Sequence, residues 1–552
     1  MSGAPATTTP PASGKTFFGH PLGLKTLFFT EMWERFSYYG MRAFLVVFIV
    51  TPVAQGGLGE SKATAGIFYA LYGSLIYLMS LPGGWVADRL IGQRKAVLIG
   101  GIVIMCGHIT LAIPKEGAFL AGLGLLVLGT GLLKPNVSTI VGQLYDKNDI
   151  RRDAGYTIYY MGINIGAFFA PIVCGFLAQS EIFRHFLAGG VVTAYVPLLG
   201  LDLLSVSGPG INPNHAWHFG FGAAAVGMGF GVVQFVLGWK HLGDAGAHPT
   251  RPDPATSTPT PAPVYAIVGA SVAIIGLVTY LLFDKYGINK ASIADSFGVG
   301  LLVISIALFT ILHKYIARDA DERRRVRAMM VLFLGCLSFF GLFEQAGSTM
   351  SLFAEEKVHR TVLGIDFPSS YYQFINAAFV VMLAPLFGWL WIRLAKQHRE
   401  PTSVTKFSIG MAIAAASFMV MLPAVLGPVA DGGKVSGLYL FAFYLVSTMA
   451  ELCLSPVGLS TMNKLAPARL ASFVMGIWFL ATAVGYYIAG RAEEKVGKLA
   501  VALDLGAGGL YYLLILFGLV MALVMFLLAG PVKRMLAEGD ADNTPTPSQS
   551  AV

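Results

Sequence analysis

Apolar runs of about twenty residues recur from one end of this chain to the other, each long enough to cross a hydrocarbon core about 30 Å thick. A soluble surface normally carries about 25% charged residues; this 552-residue chain carries 12%, against 55% hydrophobic. Its mean hydropathy is +0.67. The bilayer is therefore the solvent for most of the sequence, and there a backbone satisfies its hydrogen bonds only in helices or closed barrels. The run lengths select helices, and the predicted fold class is an all-α integral membrane protein. The runs start near Lys25, Ala63, Ala96, Phe119, Gly155 and Trp217, then Val264 and Phe297, then Met329, Tyr371, Val404, Gly437, Phe473 and Gly509, about fourteen spans in all.

Residues 1–24 are rich in Thr, Pro, Gly and Ser and have no apolar core, so they read as a disordered tail rather than a cleavable signal. Residues 531–552 read the same way. Cys106, Cys174, Cys336 and Cys453 fall in apolar runs without paired spacing, which argues against disulfide or metal use. With both tails in the cytoplasm, about 24 of the 38 Lys and Arg lie on cytoplasmic segments and about 11 outside, the asymmetry that sets orientation. The net charge of +8, with its densest basic cluster in the run Asp321 to Met329, therefore reads as a topology signal beside anionic lipid and not as a nucleic-acid surface.

The sequence carries an internal echo. GWVADRLIGQRK, Gly84 to Lys95, aligns with GWLWIRLAKQHR, Gly388 to Arg399, each after the second helix of a half. Two related six-helix halves around a central site are a transporter architecture. The predicted organisation is a tail over 1–24, a six-helix bundle over 25–240, a linker with an inserted helical pair over 241–327, a second six-helix bundle over 328–530, and a tail over 531–552. The inserted pair follows the stretch PTRPDPATSTPTPAP and carries almost no polar group to bury. The first loop, with Gly84, Asp88, Arg89 and Arg94, resembles the loop signature of the major facilitator superfamily. Asp88 is expected to cap a neighbouring helix N-terminus, with Arg89, Arg94 and Lys95 facing the cytoplasm.

Ionised side chains at bilayer depth cost about 2.5 to 3.5 kcal/mol each on insertion scales and are functional candidates by default. The first helix holds Glu31, Glu34, Arg35, Tyr38, Tyr39 and Arg42 within an arc of about 140°, an arrangement untenable against lipid. Lys134 precedes a helix-loosening Pro135 in the fourth run. Glu344 lies in FFGLFEQAGS and Glu451 in MAELCLSPVGLS, with Asn164 and Asn376 adding amide donors and acceptors. The repeat places Arg35 and Arg42 opposite Glu344, and Lys134 opposite Glu451. Such a cavity is cationic on one wall and acidic on the other, matched to a zwitterion. A buried ion-pair cluster bracing helices is the competing reading for Glu31, Glu34 and Arg35. His108 reads as a packing residue.

The stretches FTEMWERFSYYGMR, GTGLLKPNVS, YTIYYMGINIGA, FEQAGS, YYQFINAAFVVMLAPLF, ELCLSPVGLS and MGIWFL together resemble the proton-dependent oligopeptide transporter family of the major facilitator superfamily, in its bacterial type. The likeness runs from Phe29 to about Ala529 and includes the inserted pair. It implies proton coupling through Glu31, Glu34, Arg35, Lys134 and Glu344. It also implies a peptide carboxylate held by Arg35, Arg42 and Lys134, with Tyr39 and Tyr77 lining the pocket, an amino terminus held by Asn164, Asn376 and Glu451, and Trp478 as an aromatic wall. Protons would be the coupling ion, with no cofactor and no metal. Di- and tripeptides and membrane lipids would be the partners, with a single copy sufficient for carriage. The implied location is the bacterial inner membrane, with both termini cytoplasmic. Phe340 stands where Trp is expected in the family, and the segment between Gln179 and His215, with its apolar stretch Phe183 to Leu204, is longer than usual. A carrier of another small anion or zwitterion such as nitrate or an amino acid, and a non-transporting peptide receptor, remain as alternatives.

Overall fold

The computed structural model describes residues 16–146, 149, 151–196, 201–249, 262–287, 289–362, 364–465 and 471–542. Most of the first tail, the Pro/Thr-rich linker and the end of the second tail lie outside these residues. The long helices are α1 (Leu22–Val50), α2 (Lys62–Leu78), α3 (Gln93–Leu111), α4 (Glu116–Gln143), α5 (Arg152–Gln179), α6 (Ala216–Gly238), α7 (Ala262–Tyr286), α8 (Lys290–Ile311), α9 (Ala320–Phe343), α10 (Tyr372–Lys396), α11 (Ser403–Leu426), α12 (Leu438–Leu465), α13 (Ala471–Ala502) and α14 (Gly509–Asp542). Among the described residues, eleven segments are long and apolar enough to cross a membrane. The ionised groups of α1 keep it from meeting that standard, although it is 29 residues long and buries Glu31, Glu34, Arg35 and Arg42.

Packing divides at the internal repeat. One apolar core joins α1 to α6 and another joins α9 to α14. The main contacts between them run through α2 against α13 and α5 against α10. The same loop device closes both halves: Arg89 lies over the Trp85 ring at 5.9 Å, and Arg393 over the Trp389 ring at 5.1 Å. This is the echo of the two aligned stretches in three dimensions.

Several details differ from what the sequence suggests. The second helix of the inserted pair begins seven residues before Phe297, and its Asp295 bonds Arg491 and Lys495 of α13, each at 2.9 Å. The pair is therefore not free of polar anchorage. The stretch from Phe183 forms a short helix, Glu181–Leu187, and an antiparallel hairpin, Val191–Val196 with Leu201–Ser207. Its β-branched residues between glycines suit a strand better than a helix. The chain from 531 to 542 continues α14. Arg94, expected to face outward on the cytoplasmic side, turns inward instead: it is buried, donates to Ala245 O at 3.0 and 2.8 Å and to Gly243 O, and stacks on Trp239. Asp88 accepts from the Gln93 side chain at 2.9 Å rather than capping a helix backbone.

Two close approaches fix the geometry around the site. Pro135 lacks the N–H that would bond Gly131 O, and that carbonyl lies against Gly83, where a Cβ would collide with it. Gly83, not Gly84, is thus the tight glycine of the loop. At the face opposite the chain ends, called distal below, α2 and α13 meet backbone to backbone: a Cβ at Gly66 would strike Gly490 O, and one at Gly73 would strike the Tyr486 ring. Ser74 Oγ donates to Ala483 O at 2.7 Å, and Lys62 pairs with Glu356 at 2.7 Å on the rim. Gly66→Val is expected to destabilise this conformation by about 1–3 kcal/mol through overpacking. A cysteine at Ala70, fully buried here, should become reactive towards a membrane-impermeant maleimide in that background, and unchanged protection would contradict the seal.

Candidate functional site

Helix α1 carries two charge clusters because Arg35 and Arg42 lie seven residues, about two turns, apart on one face. In the first cluster, Arg35 Nη2 donates to Glu34 Oε1 at 2.7 Å, its Nε donates to Glu34 Oε2, and Nε lies 3.2 Å from Glu31 Oε1. Glu31 also accepts from Tyr159 Oη of α5 at 2.7 Å. The repeat argument set Arg35 opposite Glu344; the structure instead gives Arg35 partners on its own helix.

The second cluster joins the two bundles. Arg42 Nη2 donates to Glu344 Oε2 and, at 2.8 Å, to Tyr69 Oη of α2. Tyr69 Oη donates in turn to Glu344 Oε2 at 3.0 Å. All three side chains are buried. Beside them Tyr38 Oη and Tyr486 Oη lie 3.0 Å apart, a further link between α1 and α13. Glu344 sits where α9 tightens into a 3-10 turn, Glu344–Gly347, before the helix Thr349–Lys357.

A central chamber of about 70 Å³ lies beside this pair. Tyr39, Arg42, Tyr160 and Asn164 form the wall from the N-terminal bundle, and Gln373, Asn376, Tyr444 and Glu451 form the other. Asn376 Nδ2 donates to Glu451 Oε2 and to Thr448 Oγ1, both at 3.0 Å. Gln373 Nε2 donates to Ala346 O at 2.6 Å and to Tyr444 Oη at 3.2 Å. Asn164 Nδ2 donates to Tyr160 O of its own helix at 3.1 Å. Pockets for small molecules usually measure about 300–1000 Å³, so this conformation encloses the polar groups with room for only a few waters.

Lys134 and Glu451 do not meet. Lys134 Nζ sits 3.6 Å from the centre of the Tyr77 ring and, among the described residues, makes no ion pair. Its electrostatic neighbours are Arg35, Glu34, Glu31 and Glu344. Trp478 lies outside the chamber, buried against Gly458 and edge-on to Phe340 at 6.1 Å; Tyr77 packs on Tyr486 and is likewise not on the chamber wall. Of the loop residues, Arg89 is exposed and Arg94 buried, both at the opposite end of the bundle from the distal seal.

Sequence reasoning misses Tyr69, Tyr159, Tyr160, Gln373 and Tyr444. A tyrosine in an apolar run has the same sequence appearance as an interfacial aromatic. Tyr69 and Tyr159 become recognisable only once the charge each hydroxyl meets has been located.

The sequence pattern described as POT family matches residues 94–502. The chain is 39% identical over 525 residues to the uncharacterized transporter YclF of Bacillus subtilis (strain 168), covering 95% of this chain and 96% of that protein. It is 35% identical over 554 residues to the peptide transporter YePEPT of Yersinia enterocolitica, covering 98% and 99%. A di-/tripeptide transporter of Lactococcus lactis subsp. cremoris matches at 33% over 539 residues, covering 95% and 98%. Among solved structures, a peptide transporter POT in complex with sulfate superposes with a TM-score of 0.76 at 36% identity, covering 94% and 97% of the two chains. A POT family transporter in complex with a thioalcohol-conjugated peptide gives 0.76 at 32%, covering 94% and 98%. With a matching sequence pattern over most of its length, relatives aligned nearly end to end and a shared membrane fold, this chain belongs to the POT family of transporters.

Proposed function

We propose that the protein is a proton-coupled symporter that imports di- and tripeptides across the bacterial inner membrane by alternating access. The bundles over 25–240 and 328–530 would move against each other, all fourteen long helices would cross the bilayer, and both termini would be cytoplasmic. The excess of Lys and Arg on segments of the terminal side supports that orientation, which makes the distal face the periplasmic one. The reading rests most on one observation: Arg42, on the wall of a polar chamber, forms a buried ion pair with Glu344 of the other bundle.

The chamber is polarised in the sense a peptide needs. Arg42 faces it from one bundle, and Glu451, whose carboxylate accepts from the Asn376 amide that also donates to Thr448, faces it from the other. A peptide carboxylate would go to Arg42, with Arg35 and Lys134 contributing positive potential, and an ammonium group to Glu451, Asn376 and Asn164. Tyr39 lines the same wall. Relatives and solved structures named as peptide transporters, one with a conjugated peptide bound, support the substrate class.

Coupling follows from the pair that ties the bundles together. Removing one partner from a buried ion pair costs about 3–5 kcal/mol because the other charge stays unpaired. A proton arriving on Glu344 neutralises the carboxylate without leaving a buried anion, and Arg42 is freed for the substrate carboxylate. Release of the proton to the cytoplasm restores the pair and with it the distal seal. The cluster of Glu31, Glu34 and Arg35, with Lys134 close by, would sense the same exchange from the cytoplasmic side. An inward proton gains about 2.3 kcal/mol per 100 mV, roughly a fiftyfold concentration of substrate for each charge moved.

Glu344→Gln and Lys134→Ala are each expected to abolish proton-driven uptake of dialanine in liposomes; if both variants concentrate it as the parent does, the coupling assignment fails. Glu451→Ala should weaken dipeptides with a free amino end at least tenfold while changing N-acetylated ones little, and equal losses would remove Glu451 from amino-terminal recognition. Counterflow of labelled dialanine separates a carrier from a receptor, because a receptor binds and moves nothing. Competition by nitrate or free amino acids as strong as that by dialanine would overturn the peptide assignment.

A further inference from the structure

A large cavity lies outside the central chamber, on the flank of the N-terminal bundle. It is an apolar groove of about 970 Å³ between α5 and α6, floored by Met32, Trp33 and Phe36 of α1. Gly222 on α6 leaves it open, because a Cβ there meets nothing within 4 Å, while Gly166 on α5 and Gly227 on α6 let those helices close on Met32 and Phe36 of α1. Its rims expose Phe169, Val226 and Phe230, each more than half accessible. At its inner end Trp33 and Phe230 pack with ring centres 5.3 Å apart.

At the distal end the groove runs into a second cavity of about 410 Å³, which shares Pro114, His215 and His218 with it. The character changes there. Lys115, Glu116, Asn212 and Asn214 join the lining, and Lys115 makes no ion pair among the described residues. An occupant must therefore be polar at one end and apolar along the rest of its length. From His215 to Phe230 the helical rise is about 22 Å, close to half of a bilayer of about 40–45 Å including headgroups. The aromatic pair thus stands at the depth where one leaflet ends and separates the groove from a further cavity of about 450 Å³, lined by Lys25, Thr26, Val233 and Gln234, that shares the same two rings.

We propose that this groove is a binding site for one phospholipid of the distal leaflet, with an acyl chain between α5 and α6 and its phosphate held by Lys115 and the His215–His218 mouth. The groove opens sideways at hydrocarbon depth, so its ligand enters from the membrane. Lys115, beside Glu116 at the mouth, can give a phosphate a charge-assisted hydrogen bond, which favours a phospholipid over a lipid without a phosphate. This site is separate from the peptide chamber and rests only on the chain crossing the bilayer.

The test uses the full-length protein in detergent, titrated with phosphatidylglycerol carrying dibrominated acyl chains, with Trp33 quenching read as the difference between the parent and Trp33→Phe. A Cβ at Gly222 meets nothing within 4 Å, so Gly222→Leu fills the groove without disturbing the packing; an unchanged melting temperature and a monodisperse elution profile in detergent serve as the folding control. Saturable quenching that weakens at least fivefold in Gly222→Leu is expected. Dibrominated diacylglycerol should bind the parent at least fivefold more weakly than phosphatidylglycerol, a difference that Lys115→Glu should remove. Quenching that does not saturate or is unchanged in Gly222→Leu would identify ordinary boundary lipid and overturn the proposal. Equal binding of diacylglycerol by the parent would overturn it as well, because the mouth would then recognise no headgroup.

Discussion

A guanidinium and a carboxylate at bilayer depth cannot be left alone, and the Arg42–Glu344 pair is where this protein satisfies that requirement across its own midline. Each partner belongs to a different bundle, so the pair ties the two bundles together, and under the proposed mechanism neutralising one charge would loosen that tie. Tyr69 completes the arrangement from a third helix, donating to the carboxylate while accepting from the guanidinium. The backbone-to-backbone contact of α2 with α13 lies on the same side of the molecule and depends on the same closure.

The charged face of α1 is legible in the sequence because hydrocarbon makes an unpaired charge costly and six polar residues on one arc admit few explanations. Which charge meets which is not legible. Arg35 has Glu34 beside it and Glu31 one turn back, so local geometry claims it, and Arg42, two turns on, is the one left to cross to Glu344. Lys134 and Glu451 occupy related places in the two bundles, yet pseudo-symmetry fixes position and not contact. Each finds a nearer partner, the Tyr77 ring for one and the Asn376 amide for the other.

The loop signature shows the same limit. Its residues mark the end of a helix correctly, but Arg94 turns inward to carbonyl oxygens of the segment after α6, a partner about 150 positions away that no local pattern announces. Gly83 stands beside the better-known Gly84, and only the freed Gly131 carbonyl behind Pro135 explains why the first of the two has no side chain. The hairpin over 191–207 escapes a reading tuned to helices because its strands are too short and too apolar to be told from a surface segment by period alone.

The inserted pair has a mechanical implication. Helix α8 touches both bundles: Lys290 reaches Glu60, in the turn ahead of α2, and Asp295 reaches Arg491 and Lys495 on α13. The first contact is between exposed groups and is worth at most about 1 kcal/mol, whereas Asp295 reaches a buried Arg491, which Glu494 of its own helix also pairs, and Lys495 beside it. If the bundles move apart as proposed, the single Lys290–Glu60 tether would yield before the two contacts to α13, and the insert would stay with the C-terminal bundle while the turn ahead of α2 leaves it.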